Sequence, residues 1–275
     1  MPLIRIGHSP DPDDAFMFHA LTAGKVSVPG IQIEHVLDDI ESLNRRARTA
    51  DLEVTAVSAA AYTLIHERYR MMDAGASMGK GYGPILVAKG PMDAKAIEDK
   101  VVAIPGSHTT AALLLRLYCG DPAVIEVAFD KIPQVVLEGQ AHLGLLIHEG
   151  QITHQDMGLT KVLDLGALWE RESSLPLPLG INVMRRDLGE AVHRQLSQAL
   201  RDSIDYAHAH VDEALEYAMR YGRGIDRETC RRFVLMYVNE YTKTLGPDGR
   251  AALERLYRMA HGKGLIPDVP PIDPI

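Results

Sequence analysis

The sequence predicts an α/β protein of two lobes around a central cleft, with a helical C-terminal region. Three observations predict it. Short apolar runs alternate with helical patterns through the first two thirds of the 275 residues, the rhythm of strand–helix–strand units. The pattern is interrupted twice, at Gly79-Lys80-Gly81-Tyr82-Gly83-Pro84 and at Leu175-Pro176-Leu177-Pro178-Leu179-Gly180. After the second interruption and one further strand, almost every window is helical. A chain of this length accommodates about two domains. The interruptions therefore predict a discontinuous larger domain, 1–88 with 180–275, and an inserted smaller domain, 89–179. Two crossings, near Val87 and Gly180, make a hinge, and ligands favour the interface beside one.

The elements follow in order. Leu3 to Gly7 is a strand. Asp14 to Ala23 is a helix stopped by Gly24. Ile31 to Leu37 alternates apolar and polar residues like a half-buried strand. Asp38 or Asp39 opens a helix through about Arg48, with Glu41 three residues after Asp38 in capping-box register. Leu52 to Ser58 is a strand, and the alanine-rich Ala59 to Glu67 a helix. Ile85 to Lys89 is a strand broken by Gly90-Pro91. The inserted block carries strands near 100–104, 124–129, 142–147 and 162–165, and helices near 109–118 and 131–138. Ile181 to Met184 is the last strand. Helices follow near 189–209, 211–221, 226–240 and 247–262, and the proline-rich 267–274 is coil.

Composition narrows the function classes. Apolar residues make up 46% and charged residues 24%, ordinary for a soluble globular chain. The 29 basic and 37 acidic residues leave a net charge of −8, which argues against general affinity for nucleic-acid phosphates. No apolar run approaches the roughly 18 residues of a membrane span. Met1 to Gly7 runs directly into a strand without a basic, long-apolar leader. Cys119 and Cys230 lie far apart and form no CxxC. The expectation is a cytoplasmic protein without disulfides.

Three strand ends carry candidate chemistry, since ligands of open α/β sheets bind at the carboxyl ends of strands. The apolar run from Leu143 to Ile147 ends in His148, a residue type suited to general-base work near neutral pH. The run Lys100 to Ile104 leads into Pro105-Gly106-Ser107-His108-Thr109-Thr110 and a helix. The free N–H groups of such a helix start favour anions, while Ser107 or Thr109 caps the helix. The run ending at Ala56-Val57-Ser58 meets another helix, where Ser58 caps or contacts a ligand. Before the helix at residue 14, Ser9-Pro10-Asp11-Pro12-Asp13-Asp14 reads as a turn whose Asp13 or Asp14 caps the helix, in preference to a Mg²⁺ or Ca²⁺ site. His8 beside it is a further cleft candidate. Other signatures are missing: no Gly-Lys-Ser/Thr follows the glycine turn at 106, His148 and His154 are six apart where HExxH needs four, and there is no GxSxG or GxGxxG.

Six segments in order carry a family resemblance. They are Ser9-Pro10-x-Pro12-x-Asp14-x-Phe16, Asp38/Asp39-Ile40-Glu41-x-Leu43-Asn44-Arg45, Gly79-x-Gly81-x-Gly83-Pro84, Pro105-Gly106-x-His108-Thr109-Thr110, Ile147-His148-Glu149 and Leu175-Pro176-Leu177-Pro178-Leu179-Gly180. Together they resemble the 1,4-dihydroxy-6-naphthoate synthase family of the futalosine route to menaquinone, over nearly the whole chain. The resemblance implies the type II periplasmic-binding-protein fold. It implies a carbon–carbon lyase acting on cyclic dehypoxanthinyl futalosine, a small carboxylate substrate. It implies a base at His148, substrate contacts at Thr109, Thr110, Ala56, Val57 and Ser58, and no organic cofactor or metal. Ser9 and His8 complete the expected substrate-binding set. The chain departs from the family's usual first turn, Ser-Pro-Cys-Pro-Asn-Asp-Thr-Phe, at Asp11, Asp13 and Ala15. It has Ala56 where a lysine is common and Ala59 where a tyrosine is common. Two alternatives share the scaffold: chorismate dehydratase, and a solute-binding protein without catalysis.

Overall fold

A computed structural model describes residues 2–275. Its eleven strands are β1 (Leu3–His8), β2 (Gln32–Leu37), β3 (Val54–Ser58), β4 (Tyr69–Met71), β5 (Ser77–Gly79), β6 (Ile85–Ala88), β7 (Val101–Ile104), β8 (Ala123–Glu126), β9 (Leu143–Leu146), β10 (Thr160–Asp164) and β11 (Leu177–Arg185). They form two sheets. The first has the order β2-β1-β3-β11-β4, with β5 also on β11; the second has the order β10-β6-β9-β7-β8. In the first, β1 runs parallel to β2 and β3, while β11 is antiparallel to its partners. In the second, β7 runs parallel to β8 and β9, and β6 is antiparallel to β9 and β10.

Sheet membership moves the expected crossings. Ile85–Ala88 pairs in the second sheet and Leu177–Leu179 in the first, so the chain changes sheets between 79 and 85 and again between 164 and 177. Pro178 does not delay β11. The strand accommodates it beside a register shift between Pro178 and Gly180, where the missing N–H costs no ladder bond.

The helix Pro12–Thr22 is buried on nearly all sides. Its neighbours are the helices Glu190–Ala209, Val211–Ala218 and Arg227–Tyr237, which explains its nearly continuous apolar sequence. The expected helix from Ala59 is a single turn, Ala59–Tyr62, followed by turns to Arg68. A helix at Leu165–Ser173, not expected from sequence, places Trp169 fully in the core. The carboxyl ends of the parallel strands β1, β3, β7 and β9 all meet one cleft between the sheets, the geometry that positions ligands in such folds. No helix among the described residues is long and apolar enough to cross a membrane.

Candidate active site

The cleft encloses about 720 Å³ of space between atoms, part of it open to solvent. Ser9, Ala56, Val57, Ser58, Thr109, Thr110 and His148 all line it. His8 does not. Its ring stacks on Phe18 at 4.5 Å and meets His35, Nε2 to Nδ1, at 3.1 Å. Burial and then the neighbouring His35 push it down to about 3, so it stays neutral inside the core.

The turn after β7 is a finished polar network. Thr109 is the N-cap of the helix Thr110–Cys119: its Oγ1 accepts from Ala112 N at 3.1 Å and donates to the Gly106 carbonyl at 2.8 Å. Thr110 Oγ1 donates to the Leu179 carbonyl at 2.7 Å and accepts from Ala60 N at 3.1 Å, tying the second sheet's turn to the first. Both hydroxyls are therefore fully used. The Thr110 and Ala111 N–H groups, at the helix start, have no protein acceptor among the described residues. Glu41 secures the same turn. It accepts from His108 N at 3.1 Å and lies 2.6 Å from His108 Nδ1. Glu41 is thus not the partner in a capping box; Asp39 alone caps its helix, accepting from Glu41 N and Ser42 N. Gly106, at φ +156°, packs so closely that a Cβ would sit 2.4 Å from Glu41 Cγ, which explains the glycine.

Ser58 is held by an amide side chain. Asn44 accepts from Ser58 N at 2.8 Å and donates to its Oγ at 3.1 Å. Ser58 makes no cap bond to the helix it precedes.

The turn after β9 differs. His148 has φ +51°, a left-handed conformation that costs a non-glycine residue about 1–2 kcal/mol and collects at functional sites. Its ring is mostly buried, and neither nitrogen has a hydrogen-bond partner. Phe129 meets the ring edge-on at 4.9 Å. Nε2 lies 3.4 Å from Asp11 Oδ2.

Three acids surround the turn after β1, and neither Asp13 nor Asp14 caps the helix as expected. Asp11 holds the N-cap position without a cap bond, and the Asp14 carboxylate accepts from Ser9 N at 2.7 Å. Burial pushes Asp13 up to about 8 and Asp14 to about 7, with Asp11 adding to both. Burial works in the same direction on Asp11, but His148 and Arg223 overcome it and hold the carboxylate below its ordinary value. Arg223 Nη2 donates to Asp11 Oδ1 at 2.6 Å, and Nη1 to Glu149 Oε1 at 3.0 Å. Of the extra acids of this chain, Asp13 is pushed toward its neutral form by burial, and Asp11 is paired with Arg223. Asp11, Asp13 and His148 each bring one ligand atom within 4.8 Å of the others. Of these three, Asp11 is already engaged by the Arg223 guanidinium.

Arg223, Phe129, Gln151 and Tyr237 escaped the sequence reading. Gln151 Nε2 donates to Tyr237 OH at 2.6 Å across the cleft. Arg223 lies in a surface turn with no periodicity to mark it, and only the Gly222-Arg223-Gly224 composition signals a special backbone.

Two α/β lobes meeting at a cleft rimmed by strand ends define the class of periplasmic-binding-protein-like folds. The ligand-binding component of an ABC-type import system from Staphylococcus aureus matches with TM-score 0.74 at 13% identity, covering 100% of this chain and 97% of that one. The alkanesulfonate-binding protein of Xanthomonas axonopodis matches with TM-score 0.72 at 11% identity, covering 98% and 95%. At such identities the likeness is of fold alone. A crystal structure of a protein from Archaeoglobus fulgidus matches with TM-score 0.93 at 52% identity, covering 96% and 98%. The particular family follows from sequence. The menaquinone-biosynthesis family pattern matches residues 4–262. A relative from Thermus thermophilus, named 1,4-dihydroxy-6-naphthoate synthase, is 42% identical over 270 residues, 98% of each chain. Another of that name, from Streptomyces coelicolor, is 33% identical over 275 residues, 98% of this chain and 96% of its own. The chain belongs to the menaquinone-biosynthesis family.

Proposed function

We propose that this protein is a lyase that converts cyclic dehypoxanthinyl futalosine into 1,4-dihydroxy-6-naphthoate, with His148 as general base. One observation carries the role of His148: a strained, mostly buried imidazole at a strand end in the cleft, with neither nitrogen hydrogen-bonded. The family and the names of its relatives support the reaction. His148 removes a proton from the cyclic substrate and starts an elimination that releases the sugar-derived fragment. Formation of the aromatic naphthalenoid product draws the reaction forward. The substrate carboxylate meets the open N–H groups of Thr110 and Ala111, where the helix start favours an anion. Thr109 and Thr110 act through their backbone position, since their hydroxyls are already engaged. Ser9 and Asn44-braced Ser58 line the opposite wall.

The test is direct. Purified protein incubated with the cyclic substrate yields the naphthoate by liquid chromatography and mass spectrometry. His148→Ala lowers the rate by about 10²–10⁴-fold with an unchanged circular-dichroism spectrum. No product from the wild-type protein, or full turnover by the variant, overturns the proposal. Dehydration of chorismate in its place would assign the neighbouring activity on this scaffold.

A further inference from the structure

Asp11 is the most completely buried acid near the cleft, with its side chain 1% exposed. Each of its oxygens has a distinct neighbour. Oδ1 receives Arg223 Nη2 at 2.6 Å. Oδ2 lies 3.4 Å from His148 Nε2 and accepts no hydrogen bond. Arg223 is itself fixed from several sides. Nη2 also donates to the Pro10 carbonyl at 3.0 Å, Nη1 donates to Glu149 at 3.0 Å, and the guanidinium lies over the Phe129 ring, 4.5 Å from its centroid. Phe129 in turn packs edge-on against His148. The imidazole is thus boxed by Asp11 and Phe129, and one arginine holds both walls.

We propose that Asp11, fixed by Arg223, is a positioning residue for His148: it holds the Nε2–H tautomer and leaves Nδ1 as the basic atom. The inference rests on the proposed role of His148 as base. In the step it serves, the substrate C–H bond breaks, its electron pair stays on the substrate to drive the elimination, and the proton passes to Nδ1. The imidazolium so formed is balanced by the Asp11 carboxylate, the arrangement by which an acid orients and stabilises a histidine base in other enzymes. Arg223 keeps that carboxylate ionised and oriented, since a lone buried acid in this apolar setting would take up a proton. The charged and titratable groups around the ring are Asp11 from the turn after β1, Asp13 from the first turn of the helix Pro12–Thr22, Glu149 from its own turn, and Arg223 from the turn before the helix Arg227–Tyr237.

Asp11→Asn tests the inference. Arg223 requires an acceptor, so the asparagine carbonyl faces the guanidinium and its amide N–H₂ faces Nε2. The ring then moves its proton to Nδ1. In ¹⁵N-histidine-labelled protein without substrate, at a pH where the ring is neutral, the wild type shows Nε2–H and Asp11→Asn shows Nδ1–H for His148. In turnover, kcat falls by on the order of 10²–10⁴-fold while KM is retained. Asp11→Asn/Arg223→Met removes both members of the ion pair, guards against loss of fold from an unpaired guanidinium, and has an equally low kcat. An unchanged tautomer in Asp11→Asn, or wild-type kcat in a folded variant, overturns the inference. The ring measurement needs no substrate. Failure of the wild-type protein to make the naphthoate would sink the proposed reaction and leave the tautomer result to decide the pairing of Asp11 with His148.

Discussion

The turns after β7 and β9 are neighbours in one sheet and open on the same cleft, yet they are built oppositely. At Gly106–Thr110 the hydroxyls of Thr109 and Thr110 each donate and accept, and Glu41 braces the backbone from the first sheet. At Ile147–Glu149 the imidazole makes no hydrogen bond, and one Glu149 oxygen is also buried without a partner. A buried polar atom left unsatisfied costs about 1–3 kcal/mol, and the left-handed backbone of His148 adds strain. The first turn is therefore a bracket, and the second leaves its polar atoms without protein partners. The lesson is that two strand ends with similar sequence cues are built differently, and the difference shows in where hydrogen bonds are complete.

Three substitutions sharpen that contrast. Gly106→Ala should be the most destabilising. Its Cβ meets Glu41 at 2.4 Å on a positive-φ backbone, so overpacking and strain together destabilise by about 3 kcal/mol, read as the urea midpoint. A loss well under 1 kcal/mol would show that the bracket yields easily. Thr110→Val keeps the shape but strands the Ala60 N–H and the Leu179 carbonyl, a loss of about 2 kcal/mol; Thr110→Ser should recover most of it. Equal stability of the valine and serine variants would remove the claim that the hydroxyl joins the two sheets.

Asp13→Asn gives the most pH-dependent effect, and a stabilising one. The folded carboxyl titrates at about 8, far above its ordinary 3.8. Between those values the unfolded chain is ionised there while the folded chain still holds the proton. Wild-type stability therefore falls as pH rises from about 4 to about 8, and the asparagine, always neutral, escapes that slope. Denaturation at pH 5 and pH 8 should show the variant gaining on the wild type at the higher pH. Parallel behaviour would mean that Asp13 is already ionised at neutral pH and that the site is more negative than described.

Much of the fold is legible in the sequence because apolar runs ending in glycine or proline punctuation mark parallel strands clearly. The runs at 101–104 and 143–146 show this, as does the N-cap at Thr109. β4 and β5 are three residues each and too short for a period to register. The alanine run from Ala59 carries strong helix propensity, but the chain turns after Tyr62, whose ring is buried in the core; tertiary packing overrode propensity. Glu41 sits at a spacing that fits a local cap, yet its carboxylate reaches 67 residues along the chain to His108. Arg223 shows the same limit more sharply. It lies 212 residues from Asp11, and no local pattern relates two such positions. Sequence located His148 through its strand; the groups packed around it come from elsewhere in the fold.

The contacts that bridge the cleft carry one more consequence. Gln151 reaches Tyr237, and Thr110 reaches Leu179. A guest ligand that fills such a cleft exchanges with bulk water more readily when clasps of this kind part. Solvent viscosity and temperature would then act on the clasps before they act on bond cleavage, and residues that never touch the guest would govern how long it stays.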